Sequence, residues 1–218
     1  MQIARQVYGI DTAENALIFF KNGTPAYITK RFDKDKEGKV PAQEDFTSLS
    51  GRTPQTHGEH YKYLGNYLEL FHILKTYVPA YQIEAHKLLK ILLFNYLFSN
   101  GDAHLKNFSL LETAMGDFRL NPSYDLMNSR IHIDDRVFAL EEGLLPRNLA
   151  HGKIVQQFAL LAEYADIDEK HFTRIINLML GQSKLVKKMT TSSFLNVKTQ
   201  KNYWQSYQGR LKRLMKPT

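Results

Sequence analysis

The chain has 218 residues and no cysteine, which suits one domain of ordinary size and excludes both a disulfide framework and a cysteine-based metal site. Hydrophobic residues at 43% and charged residues at 23% describe a globular chain able to build a core, not a disordered one. The net charge of +7 admits nucleic acid or an acidic protein as partner. Much of the excess lies in Lys184, Lys187, Lys188, Lys198, Lys201, Arg210, Lys212, Arg213 and Lys216, which read first as wet helix faces, so direct nucleic-acid binding is not expected.

In chain order, MQIARQVYGID lacks a secretory apolar region, and the longest apolar run is too short and interrupted to cross a bilayer. The expectation is a cytoplasmic protein with no membrane contact. Ala16 to Phe20 reads as a strand, Lys21-Asn22-Gly23-Thr24 as a turn that tolerates positive φ, and Pro25 to Phe32 as the return strand of a β-hairpin. Asp33 to Lys39 is a charged, exposed loop. Gln43-Glu44-Asp45-Phe46 opens a short helix, and Ser50 to Tyr61 is a long irregular segment of the kind that often carries function. Leu64 to Tyr77 and Ala85 to Phe98 have helical spacing, the second apolar enough to be buried on most sides.

Phe108 to Leu111 and Asp117 to Leu120 flank Gly116 and read as two short strands. Ile131 to Glu142 holds another extended piece. Helices are expected over His151 to Tyr164, Asp168 to Leu180 with Asp166 or Asp168 as cap, Lys184 to Met189, and Lys201 to Met215 with Trp204, Tyr207 and Leu211 on one face. The class is α+β, predominantly helical.

The chemistry gathers after the buried helix. Asn100-Gly101-Asp102 turns the chain sharply and presents a carboxylate; an ordinary surface turn also favours these residues. Asn107 follows five positions on, a spacing that lets a tight loop bring carboxylate and amide oxygen to one cleft. Such a pair is the layout of phosphoryl transfer, in which one aspartate takes a hydroxyl proton while an asparagine and a second carboxylate hold Mg²⁺ about the nucleotide phosphates. The strand pair after Asn107 can return Asp125 beside Asp102; as a hard oxygen donor Asp125 suits Mg²⁺, and its structural alternative is a helix cap. Lys106 could neutralise charge on the transferred group, and His104 could hold the loop or touch a phosphate. The eight histidines form no H-x-x-x-H pair, so a zinc centre is not indicated.

Phe94 to Ser109 followed by Leu120 to Leu126, together with Lys30-Arg31-Phe32-Asp33 and Gln43-Glu44-Asp45, closely resembles the C-terminal kinase lobe of HipA-type toxin serine/threonine kinases. The resemblance runs from about Ala16 onward. It implies the large, helical lobe of a protein-kinase-like fold with a short N-terminal β-hairpin, residues 1–40 being a small-lobe remnant and hinge and 41–218 the helical lobe. It implies Asp102 as catalytic base, assisted by Asn107 and Lys106. Asn107 and Asp125 would bind Mg²⁺–ATP, with His104 and Tyr124 beside the nucleotide and the backbone from Lys30 to Phe32 as the adenine hinge. It implies protein serines as substrates, aminoacyl-tRNA synthetases among them, and a DNA-binding antitoxin as partner.

A kinase also needs a phosphate-covering loop and a small-lobe lysine. Neither G-x-G-x-x-G nor G-x-x-x-x-G-K-[ST] occurs. Ala26 to Lys30 mimics the kinase V-A-I-K strand, but Arg31-Phe32-Asp33 follows at once and places Lys30 at the hinge. The loop and lysine are therefore expected before residue 1, on a separate small-lobe chain or a segment outside these residues, unless the chain is a degenerate fragment that has lost them. The expected function is a serine/threonine kinase lobe, weak in isolation; a pseudokinase-like binding module and a small-molecule phosphotransferase are the competing readings. A lobe missing its other half should expose an apolar patch near Ile18, Phe19 and Phe20.

Overall fold

A computed structural model describes residues 1–34, 38, 40–131 and 136–215. Helix α5 (Tyr81–Leu97) is the axis of the molecule, packed on by α4 (Leu68–Tyr77), α7 (Glu169–Gly181) and α9 (Val197–Met215). Leu88, Leu89, Leu92, Leu93 and Leu97 of α5 are all buried, so apolar residues recur around the whole helix and not on one stripe. α6 (Ile154–Tyr164) closes the core with Phe158, whose ring meets Tyr96 and Phe138. α8 (Ser183–Thr191) and α1 (Gln2–Tyr8) complete the helical body.

Helix α1 was not legible in the sequence. It is seven residues long, carries no capping side chain and ends at Gly9 with φ 59°. Burial of Ala4 and Tyr8 holds it, and the Tyr8 hydroxyl meets that of Tyr207 on α9 at 3.2 Å. Packing, not propensity, makes so short a helix.

Strands β1 (Asn15–Phe19) and β2 (Pro25–Thr29) form the expected antiparallel hairpin, Asn15 opposite Thr29. The return strand ends at Thr29, short of the expected Phe32. Leu17, Ile18, Phe19, Phe20, Tyr27 and Ile28 are all exposed, the bare apolar patch that the sequence leads one to expect. The charged loop after it falls partly outside the described residues, at Asp35, Lys36, Glu37 and Lys39.

A second sheet has the order β3–β4–β5, all antiparallel: β3 (Gln43–Asp45), β4 (Ser109–Glu112) and β5 (Phe118–Leu120). Here the structure corrects the sequence. Gln43 to Asp45 does not open a helix but pairs with β4, Asp45 opposite Ser109. Helix α2 (Phe46–Leu49) starts one residue later, with the Asp45 carboxylate accepting from the Thr47 and Ser48 N–H groups at 2.9 and 3.1 Å. A pairing across more than sixty positions is invisible to local pattern, whereas the cap is local.

The Ser50–Tyr61 segment contains a turn of helix, α3 (Pro54–His57), capped by Thr53. α4 begins at Leu68, later than its apolar spacing suggests, because Gly65 (φ 84°) and the Tyr67 N–H bond to Gly143 O hold the chain out of helix. α5 begins at Tyr81, before the expected Ala85. The extended piece expected from Ile131 falls partly outside the described residues, at 132–135, and residues 136–142 form no strand. Asp168, not Asp166, caps α7, accepting the His171 N–H at 2.8 Å; Asp166 pairs with Lys75. No described helix is long and apolar enough to cross a membrane.

Candidate active site

The turn after α5 is built by short-range amide chemistry. Asn100 donates from Nδ2 to Asn95 Oδ1 at 3.0 Å and to the Asp125 carbonyl at 3.2 Å, so one buried side chain ties the helix end, the turn and the second aspartate together. Ser99 takes a positive φ of 53°, sharpening the reversal; its hydroxyl lies 2.7 Å from that of Ser206 on α9. Gly101 donates its N–H to Ser129 Oγ at 2.7 Å, and Ser129 Oγ donates to Ser99 O at 3.1 Å. A Cβ on Gly101 would stand 2.9 Å from the backbone oxygen of Arg136, so only glycine fits without a shift.

This turn presents Asp102. The Tyr63 hydroxyl donates to Asp102 Oδ1 at 2.8 Å, which fixes the carboxylate's orientation. Burial, and then the bond to Asp102, push the Tyr63 phenol up to about 12. Tyr63 stands in a short 3₁₀ turn, Tyr61–Tyr63, at the end of the long irregular segment. Its role was not read from the sequence, and no spacing rule would have found it. Tyr67 braces the same loop, donating to Ala103 O at 2.7 Å.

Asn107 closes the loop. Its Oδ1 accepts the His104 N–H at 2.9 Å and its Nδ2 donates to Asp125 Oδ2 at 2.9 Å. A backbone donor on one side and a carboxylate on the other leave only one amide orientation. Asp125 is exposed and holds φ 53°, a conformation Asp tolerates better than most residues. It is not a helix cap: no helix follows it directly. Two links carry it into place. The backbone from Asp11 to Ala13 pairs with Ser123, and Glu84, buried on α5, accepts the Leu120 N–H at 3.2 Å and pairs with Lys87 at 2.6 Å.

Around this cluster, the Tyr124 hydroxyl donates to Lys106 O at 2.7 Å, and Phe32 stacks on the Tyr124 ring at 5.8 Å between centroids. Burial raises the Tyr124 phenol above its ordinary value. The Lys106 side chain is exposed. His104 is buried edge-on to the Tyr63 ring, and its Nδ1 finds no partner among the described residues. Burial, and then the charge of Lys62, hold the imidazole below its ordinary value, against the opposing pull of Asp102 and Asp125. The structure thus brings together Asp102, His104, Asn107, Tyr124, Asp125 and Phe32. Lys30 stands apart: its ammonium lies 3.3 Å from Glu14 on the exposed hairpin.

A family model described as the HipA-like C-terminal domain matches residues 1–187. Y4dM of Sinorhizobium fredii, a candidate kinase by name, is 31% identical over 182 residues, covering 78% of this chain and 42% of Y4dM. A Haemophilus influenzae protein, also a candidate kinase by name, is 24% identical over 135 residues, covering 59% of this chain and 39% of that protein. The match therefore spans less than half the length of either relative. Among solved structures, a chain of the Shewanella oneidensis MR-1 toxin–antitoxin complex of HipA, HipB and operator DNA aligns with TM-score 0.69 at 18% identity, over 98% of this chain and 54% of that one. The Helicobacter pylori proinflammatory kinase CtkA aligns with TM-score 0.57 at 12% identity, over 96% of this chain and 79% of that one. At those identities the two structures speak for the fold: the large helical lobe of a kinase-like architecture, with a short β-hairpin. The chain belongs to the family of HipA-like C-terminal domains.

Proposed function

We propose that this chain is the large lobe of an ATP- and Mg²⁺-dependent serine/threonine protein kinase of a HipA-like toxin–antitoxin system, acting with a small lobe that supplies the phosphate-covering loop and lysine. One observation carries the reading. Asp102 and Asp125, 23 positions apart in sequence, converge on one loop through Asn107, whose amide bonds Asp125 at 2.9 Å.

The donors fit the metal. Asn107 Oδ1 keeps a second lone pair beyond its bond to the His104 N–H, and Asp125 keeps Oδ1 outside its bond to Asn107. Both are hard oxygen donors. Among the described residues no group of three or more His, Cys, Asp or Glu could hold an ion unaided. That suits Mg²⁺, which binds through one or two protein oxygens plus substrate phosphates and waters. When bound there, Mg²⁺ would neutralise charge on the phosphates.

The chain's own part is positioning and proton transfer. Asp102, aligned by Tyr63, takes the proton of the acceptor serine as its oxygen attacks the γ-phosphorus, the bond from that phosphorus to the β–γ bridging oxygen breaks, and ADP leaves. Lys106 offsets charge on the transferred group. The Lys30–Phe32 backbone receives adenine, with Tyr124 and His104 beside the nucleotide; the stack of Phe32 on Tyr124 supports this placement. The partners on this reading are a protein substrate, an aminoacyl-tRNA synthetase among the candidates, and a DNA-binding antitoxin.

Titration of Mg²⁺–ATP into the wild-type chain and Asp125→Ala tests the site. Weak binding by the first and loss in the second are expected; equal binding by both removes the metal assignment. Adding a small-lobe polypeptide should then switch on serine phosphorylation, and Asp102→Asn should abolish it. Robust phosphorylation by the 218 residues alone would overturn the need for a second lobe.

A further inference from the structure

A groove of about 870 Å³ runs between α6 and the first turns of α7, and none of its lining residues belongs to the Asp102–Asp125 cluster. Its apolar lining is Ala159, Leu160, Ala162, Ile167 and Phe172. Ile167 is buried, while Leu160 and Phe172 stay partly exposed although they pack on the core. Glu163, Asp166, Asp168 and Glu169 share the lining, which holds no lysine or arginine. On a chain of net charge +7 this is a local reversal of sign.

Two of the four carboxylates are already engaged. Asp166 pairs with Lys75 at 2.7 Å, and Asp168 meets the His171 ring Nδ1 at 2.7 Å while capping α7. Glu163 and Glu169 are exposed and have no side-chain partner among the described residues. Glu163 also stands in the last turn of α6, which carries no basic residue, so its charge adds to the negative end of the helix dipole. A cation from a ligand would offset both. The carboxylates do not converge: among the described residues no group of three or more His, Cys, Asp or Glu could hold a metal ion. Charge spread along a groove matches a row of cations, not one ion.

We propose that this groove binds an amphipathic helix of a partner protein, with aliphatic side chains in the seam and lysines or arginines on the flanks. The lining includes no strand whose open edge could pair with an extended backbone. It is also poor in amides: Gln156 is the one it has, and its Oε1 already accepts the Lys153 N–H at 2.7 Å. A helix satisfies its own backbone and asks of the groove only an apolar surface, which Leu160, Ile167 and Phe172 supply. One flanking cation meets Glu163 at the carbonyl end of α6, and another meets Glu169 at the start of α7. Nucleic acid and an anionic membrane carry the wrong sign for this face. The proposal does not rest on the kinase reading.

The test is fluorescence anisotropy of a fluorescein-labelled peptide with leucines at i, i+3, i+4 and i+7 and lysines on both flanks, titrated with the full chain. The wild-type chain should bind it saturably, and the Glu163→Lys, Glu169→Lys double variant at least about tenfold more weakly. Thr173→Trp, which fills the groove from an exposed position without changing charge, should weaken binding about fivefold or more. Glu59→Lys, an exposed reversal outside the groove, should change it by less than about twofold. All these variants should keep the wild-type melting temperature. Replacing the peptide's central leucine by proline, which breaks a helix, should abolish binding. No saturable binding by the wild-type chain refutes the groove. An equal loss in Glu59→Lys overturns it in favour of diffuse charge, and equal binding of the proline peptide overturns the helix as ligand. Sedimentation velocity of the chain alone should show no self-association through this face; a dimer abolished by the double variant would make a second copy the occupant and overturn the partner.

Discussion

Replacing Ser129 by alanine tests how the turn that presents Asp102 is held. Its hydroxyl is buried, accepts the Gly101 N–H at 2.7 Å and donates to Ser99 O at 3.1 Å. The two losses are unequal. Ser99 O keeps the Ser129 backbone N–H at 3.1 Å, whereas Gly101 N–H has no second acceptor among the described residues. The backbone of Arg136 is packed against Gly101, which keeps the turn from relaxing outward. The cost is therefore that of one orphaned buried donor, about 1–3 kcal/mol. Urea unfolding followed by circular dichroism measures it. Thr191→Ala is the control, since that exposed hydroxyl bonds only carbonyls of its own helix and its loss should stay within about 0.5 kcal/mol. Should Ser129→Ala unfold at the same urea concentration as the control, with an unchanged slope, the hydroxyl does not hold the turn.

Phe158→Ala empties a site enclosed by the Tyr96 and Phe138 rings and should cost about 3–5 kcal/mol in the same assay. Burial depresses the imidazoles of His104 and His86, so the unfolded chain takes up their protons more readily; their stabilising contribution is present above about pH 6.5 and is lost as pH falls through the folded values. Melting temperature should drop on acidification through that range, and a His86→Gln, His104→Gln variant should show a flatter profile. Phe32→Ala removes the stack on Tyr124 at a partly exposed position; nucleotide affinity should fall about threefold or more with little change in melting temperature.

What was legible in the sequence was whatever is encoded locally. The central helix, the hairpin turn at Asn22-Gly23 and the Asp168 cap all rest on residues within one or two turns of one another. The Asp102–Asn107 loop was legible for the same reason: its closing bond runs from residue 107 to residue 104. The arrival of Asp125 was inferred from the strand pair between, and β4 and β5 do form it. What was hidden depends on distant residues. Gln43 to Asp45 becomes a strand only because β4 lies beside it, α1 is a helix only because Tyr8 can bury against α9, and Tyr63 reaches Asp102 from 39 positions away. Ser129 and Ser206 were equally silent, because a serine carries no periodic signal and its value lies wholly in what it faces.

The distribution of these bonds bears on how two lobes would share the work. Asp102 is held by Tyr63, Asn100 by Asn95, Gly101 by Ser129 and Asn107 by His104 and Asp125, and all of these partners belong to the helical body or its loops. The hairpin contributes none of them. Its nearest contribution is Phe32, just past the end of β2, which stacks on Tyr124 at the edge of the cluster. A two-stranded hairpin with six exposed apolar side chains has little stability of its own. On the proposed reading, the turn that would move the proton is set by residues already packed, while any grip on a nucleotide would depend on the part of the structure least able to hold itself. Docking of a small lobe onto that hairpin would act on nucleotide affinity first. The geometry of Asp102 would be the same before and after.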